Sequence, residues 1–157
     1  MTRFASHTEV SVERSRAEIE KLVTRYGATH TAFMSAPGRA VICFEASKRR
    51  VMFELPLPER EDKQFLRDGR GAVRSSPRRL EAWEQACRSK WRALALVIKA
   101  KLESVDSGIT TFEKEFYGYI VLPTGQTIYD STKDGVDLAY QTGQVRPLLP
   151  NYSSAAA

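Results

Sequence analysis

The apolar positions along this chain change period, and each period names an element. From Ser75 to Val105, Trp83, Cys87, Trp91, Leu94, Ile98, Leu102 and Val105 recur at steps of three and four. That is the helical repeat, so these side chains form one stripe facing a core. Ser76 offers an N-cap oxygen, Pro77 suits the first helical position because its missing N–H would be unpaired there anyway, and Gly108 follows the last apolar turn. A shorter N-terminal helix is expected from its cap Ser11 to about Tyr26, with Val12, Ile19, Leu22, Val23 and Tyr26 on its apolar side and Gly27 ending it. Between Thr29 and Leu55 the period becomes two. Ile42, Phe44, Val51, Phe53 and Leu55 alternate with their neighbours, and Pro37-Gly38-Arg39 and Ser47-Lys48-Arg49 read as short turn-like breaks, which predicts a three-stranded antiparallel meander. Pro56 and Pro58 end its third strand, because proline donates no ladder hydrogen bond.

Residues 59–76 show no sustained period and read as a long exposed loop containing Arg60, Arg67, Arg70 and Arg74. Two readings stand for it: an arm that grips phosphate and orders on binding, or a hydrated connector. After Gly108, Ile109-Thr110-Thr111-Phe112-Glu113 looks like a cap and a short helix reaching about Tyr117. Tyr119-Ile120-Val121-Leu122 and Gln126-Thr127-Ile128-Tyr129 flank Pro123-Thr124-Gly125, the pattern of a late β-hairpin. A last helix from Asp134 to about Gln141 leads to a tail with Pro147, Pro150 and a run of alanines, expected to fray from about residue 146. The expectation is one α+β domain spanning 1–157, with the β-meander packed against the long helix, Val51, Phe53 and Leu55 facing it.

Charge adds a second theme. The chain has 157 residues and a formal charge of +5, yet residues 60–101 hold twelve Lys or Arg against five Asp or Glu. This excess concentrates in the loop and the long helix, where Arg67, Arg70, Arg74, Arg78, Arg79, Arg88, Arg92 and Lys99 form the candidate polyanion-binding set. On the helix, Arg88, Arg92 and Lys99 fall within a narrow arc away from the Trp and Leu stripe. The partners this favours are nucleic acid, contacted through phosphates, or an acidic protein surface. Phe65, inside the charged loop, is the candidate for stacking on a base, and Tyr117 and Tyr119 are further candidates. Trp83 and Trp91 belong to the core stripe.

Other chemistry finds little support. His7 and His30 are far apart, Cys43 and Cys87 are isolated, and no metal-ligand spacing occurs, so no metal or cofactor is expected. Glu59, Glu61 and Asp62, like Glu113 and Glu115, read as solvated charges rather than a Mg²⁺ site. Gly69-Arg70-Gly71 lacks the spacing of a phosphate-binding loop. No catalytic signature is present, and the expectation is a protein that is not an enzyme. Absence of a secretory h-region and of a long apolar run points to the cytoplasm and away from membranes, with Cys43 and Cys87 as reduced thiols. A homo-oligomer is compatible with all of this.

The segment from Trp83 to Glu103, WEQACRSKWRALALVIKAKLE, resembles a family of small proteins encoded by bacteriophages and prophages. The likeness extends to Arg25-Tyr26-Gly27-Ala28, Leu55-Pro56-Leu57-Pro58, Gly108 to Glu113 and Val121 to Gly125. It implies action in the bacterial host cytoplasm and carries no catalytic residues with it. A non-enzymatic accessory protein of phage DNA metabolism is the leading expectation. The rival is a counter-defence protein that inhibits a host immune complex through protein contacts.

Overall fold

Ser11 accepts the Arg14 amide and so starts α1 (Val12–Arg25), which ends at Tyr26 before Gly27, whose φ of +91° suits a residue without Cβ. Three antiparallel strands follow, β1 (His30–Ala36), β2 (Arg39–Ala46) and β3 (Arg49–Pro56), in the sheet order β1-β2-β3. Two-residue turns at Pro37-Gly38 and Ser47-Lys48 set the register, which brings Ile42 opposite Phe53 and Phe44 opposite Val51. The computed structural model describes Ala5 and residues 7–149.

The long helix, α2 (Ser76–Asp106), starts one residue earlier than its sequence signals suggest. Ser75 is the N-cap because its backbone is extended and its carbonyl takes the first helical bond, from the Arg79 amide; Pro77 therefore stands second in the helix. Cys87, Trp91, Leu94, Ala95, Ile98 and Leu102 are buried as the periodicity requires. Trp91, Leu94, Ala95, Ile98 and Leu102 meet Ala40, Ile42 and Phe44 of β2, Val51, Phe53 and Leu55 of β3, and Ile19 and Val23 of α1 in one core. Trp83 stays half-buried, its indole N–H donating to the Pro58 carbonyl at 2.9 Å. That bond ties the end of β3 to the first turns of α2.

A short helix, α3 (Phe112–Phe116), caps the core from one end, with Thr111 accepting the Lys114 amide. Phe116 is fully buried and meets Phe44 and Phe53 edge-on at 5.9 and 6.2 Å. The late hairpin does not form. Residues 117–119 make one 3₁₀ turn, Val121 and Thr127 make a single bridge around a tight turn, and helix α4 (Ile128–Thr142) begins where the second strand was expected. The cause is local: Thr127 accepts the Asp130 amide and donates its hydroxyl to the Asp130 carboxylate, which fixes a helix start six residues before the expected Asp134. None of α4's residues is buried, and Tyr140 is 89 % exposed. Beyond it Leu148 lies against Gly135, and the tail from Pro150 onward lies outside the described residues.

Trp91 is 3 % exposed and sits beside Phe33 at the junction of α2 and the sheet. Trp91→Ala is expected to lower the unfolding free energy by about 3–5 kcal/mol through lost burial and a residual cavity, read by denaturant titration. An unchanged midpoint would place the ring outside the core. Thr127→Ala removes the α4 cap and is expected to cost about 1 kcal/mol of local stability, seen as faster amide exchange in α4 while α2 is unaffected.

Candidate nucleic-acid interface

The loop between β3 and α2 is ordered by its own arginines and acids. Asp68 accepts the amides of Arg70 and Ala72, Arg67 donates to the Gly71 carbonyl, and Arg67 and Val73 form a bridge. One guanidinium nitrogen of Arg74 reaches the carbonyls of Gln64, Phe65 and Arg67 and holds the segment as a closed turn. Phe65 is buried at 5 % exposure. It anchors the loop from inside and is not available to stack on a base, which corrects the reading of it as an exposed platform. Of the other aromatic candidates, Tyr117 is exposed, whereas Tyr119 already stacks on Phe53 at 4.1 Å.

Where this turn meets the first half of α2, a cleft of about 500 Å³ opens. Arg74 comes to it from the loop, Arg78 and Arg88 from the helix, and His7 from the N-terminal segment, with Glu81 as the acid among them. The Arg88 guanidinium is held by Gln85 Oε1 at 2.6 and 3.1 Å, and Gln85 is itself bonded to the Thr8 carbonyl. Arg88 is thus held in one orientation before any ligand arrives. Arg78 forms no ion pair among the described residues. Exposed Arg70 stands at the tip of the turn.

The structure divides the remaining candidates. Arg92 shares an arc with Arg88, but there α1 covers the helix, and Arg92 pairs with Glu18 across the α1–α2 contact. Lys99 is exposed eleven residues beyond Arg88, which is about 16 Å along the helix axis. Arg79 donates to Ser76 Oγ, while its buried Nε has no partner among the described residues. Lys101 is bonded to Glu115 and lies over the Phe116 and Tyr119 rings. So Arg74, Arg78 and Arg88 converge, and Arg92 and Lys99 do not join them. His7 was not foreseen as a member, since nothing in its sequence neighbourhood points toward α2.

Among the described residues no group of His, Cys, Asp or Glu is arranged to hold a metal ion, and no helix is long and apolar enough to cross a membrane. Both cysteines are free; Cys87 is buried on α2 itself and Cys43 lies half-buried on the sheet face away from that helix. Burial raises the pKa of each thiol above its ordinary value, in Cys87 with the Glu84 carboxylate adding to the effect. A raised pKa lowers the thiolate fraction at any given pH, so both environments oppose nucleophilic chemistry. Alkylation by iodoacetamide at pH 8 is expected to be several-fold slower in the folded protein than after denaturation, and to accelerate as the pH rises past the usual thiol range. Equal rates in the two states would contradict this description.

No family model, curated protein or solved structure matches this chain. The likeness to phage-encoded proteins therefore rests on the quoted motifs alone.

Proposed function

We propose that this chain is a non-enzymatic accessory protein that binds nucleic acid at the cleft between the arginine-rich turn and α2, in the service of phage DNA metabolism. The observation that supports this reading is the convergence of Arg74, Arg78 and Arg88 on one concave surface from two separate elements. Guanidinium groups pair with phosphate oxygens through geometrically matched, charge-assisted hydrogen bonds. The roles divide by what each arginine already does. Arg74 is committed to loop carbonyls and contributes field and shape, whereas Arg78 and Arg88 present donors to a ligand. Since the turn is internally bonded, binding does not have to order it, and less affinity is lost to conformational entropy. Phosphate contact without exposed stacking aromatics in the cleft fits backbone recognition with little dependence on sequence.

The test is fluorescence anisotropy with single- and double-stranded DNA across about 50–200 mM salt. Each phosphate contact contributes roughly 0.9 to the slope of log K against log salt for duplex DNA. The Arg78→Ala, Arg88→Ala double variant is expected to lower that slope by about two, equally for unrelated sequences. Arg92→Ala is expected to leave it unchanged while loosening α1. Failure of the parent to bind DNA at the lowest salt, or a folded double variant that binds as the parent does, would overturn the reading. In the first case an acidic protein surface, as in the counter-defence alternative, becomes the partner to seek, because the same donors take carboxylates.

A further inference from the structure

One wall of the arginine cleft comes from outside the basic stretch of residues 60–101. Exposed His7 lines it together with Arg74, Arg78, Glu81 and Arg88. The segment that carries His7 is fixed on both sides of it. Before it, Ala5 is buried at 8 % exposure and lies in the neighbouring apolar groove of α2. After it, the Thr8 carbonyl accepts the Gln85 side-chain amide at 3.0 Å, the Thr8 amide donates to the Ala5 carbonyl at 3.3 Å, and the Thr8 hydroxyl accepts the Val10 amide at 3.2 Å. An imidazole on an untethered segment would lose much freedom on meeting a ligand. With its backbone pinned at the edge of the cleft, only the side-chain torsions of His7 remain to be ordered.

Gln85 couples this wall to the opposite one. Its Nε2 holds the Thr8 carbonyl while its Oε1 accepts both bonds from the Arg88 guanidinium. One side chain thus sets the segment bearing His7 and the donors of Arg88 relative to each other. The charged groups that share the cleft with His7 are Arg74 from the turn and Arg78, Glu81 and Arg88 from α2, and the rest of the lining carries no ionisable group. Of the side-chain types present, imidazole alone changes its charge between pH 5 and 8. A phosphate in the cleft favours imidazolium over the neutral ring, because a nearby opposite charge stabilises the charged form. Once protonated, the ring offers donors at both nitrogens and adds a cation to the arginines.

We propose, resting on the polyanion reading of the cleft, that His7 is one of its phosphate-contacting residues and makes binding pH-dependent, tighter below neutrality than above it. Proton uptake accompanies binding, so affinity rises as the pH falls through the range in which imidazole titrates and levels off once the free protein is protonated there too. Arg78 and Arg88 supply contacts at every pH, and His7 supplies one that is present only on the acid side.

Fluorescence anisotropy at about pH 6 and pH 8 and matched ionic strength tests it, with an oligothymidylate that lacks terminal phosphates and carries a pH-insensitive label. Neither the phosphodiester nor thymine changes charge between those values. The parent is expected to bind several-fold more tightly at the lower pH, with a slope of log K against log salt steeper there by about 0.7, the share of one phosphate contact on a single strand. His7→Gln is expected to bind at both pH values as the parent does at the higher one. His7→Lys, a permanent cation, is expected to bind at both as the parent does at the lower one. His30→Gln changes the other imidazole, which faces Glu45 on the sheet and lies outside the cleft, and is expected to keep the parent's profile. Because His7 is exposed, neither of its substitutions is expected to shift the melting temperature. A parent with equal affinity at the two pH values, or a His7→Gln variant that keeps the parent's profile, would overturn the role of His7 and leave the polyanion reading standing. A parent that binds at neither pH in the lowest salt would overturn that reading, and the role of His7 with it.

Discussion

The burial of one side of α2 against the sheet is the interaction on which the other parts depend. Trp91, Leu94, Ala95, Ile98 and Leu102 close over Ile42, Phe44, Val51 and Phe53 in one core. With this contact made, α1 has a groove to occupy, and it is held there by apolar contact through Ile19 and Val23. The Arg92–Glu18 pair and the Arg16 guanidinium over the Phe33 and Trp91 rings fix its orientation. Phe116 then seals the end of the core. The apolar face of the three-stranded sheet is stabilised by being covered, so the order of dependence runs from α2 outward.

Because α2 has 31 residues and spans about 46 Å, it carries more surface than the core consumes. Its circumference is divided by neighbours rather than by residue type. The same kind of basic side chain becomes a structural ion pair where α1 lies alongside, as at Arg92. It becomes a cleft residue where the arginine-rich turn approaches, as at Arg88, and a solvated charge where nothing lies alongside, as at Lys99. Small residues such as Ala82, Ala86 and Ala93 line a groove on the remaining side. Charge excess in this stretch of chain is thus real as composition, while its use is decided by packing.

That division explains what was legible in the sequence. The two helices and the meander each bury one face, so periods of 3.6 and 2 reveal them, and Val51, Phe53 and Leu55 face α2 as alternation requires. The later part of α4 matches the helix expected from Asp134 to about Gln141, but its first six residues do not, because the β-branched and aromatic residues around Thr127 suggest a strand until the Thr127–Asp130 cap is considered. Convergence of loop and helix arginines was expected, but which of them converge depends on the α1–α2 contact, which no local pattern contains. Phe65 was misread because a lone aromatic among charges looks exposed until its loop closes around it.

Whether packing on α2 leaves Arg78 and Arg88, and not Arg92, to a polyanion can be read by NMR. Arginine Nε–H resonances can be followed during titration with a short oligothymidylate. Saturable shifts are expected at Arg78 and Arg88 and in the amides of residues 68–74, with the Arg92 resonance unmoved in its pair with Glu18. Shifts centred on the open sheet face around Cys43 and Met52, or a moving Arg92 beside a stationary Arg88, would contradict it.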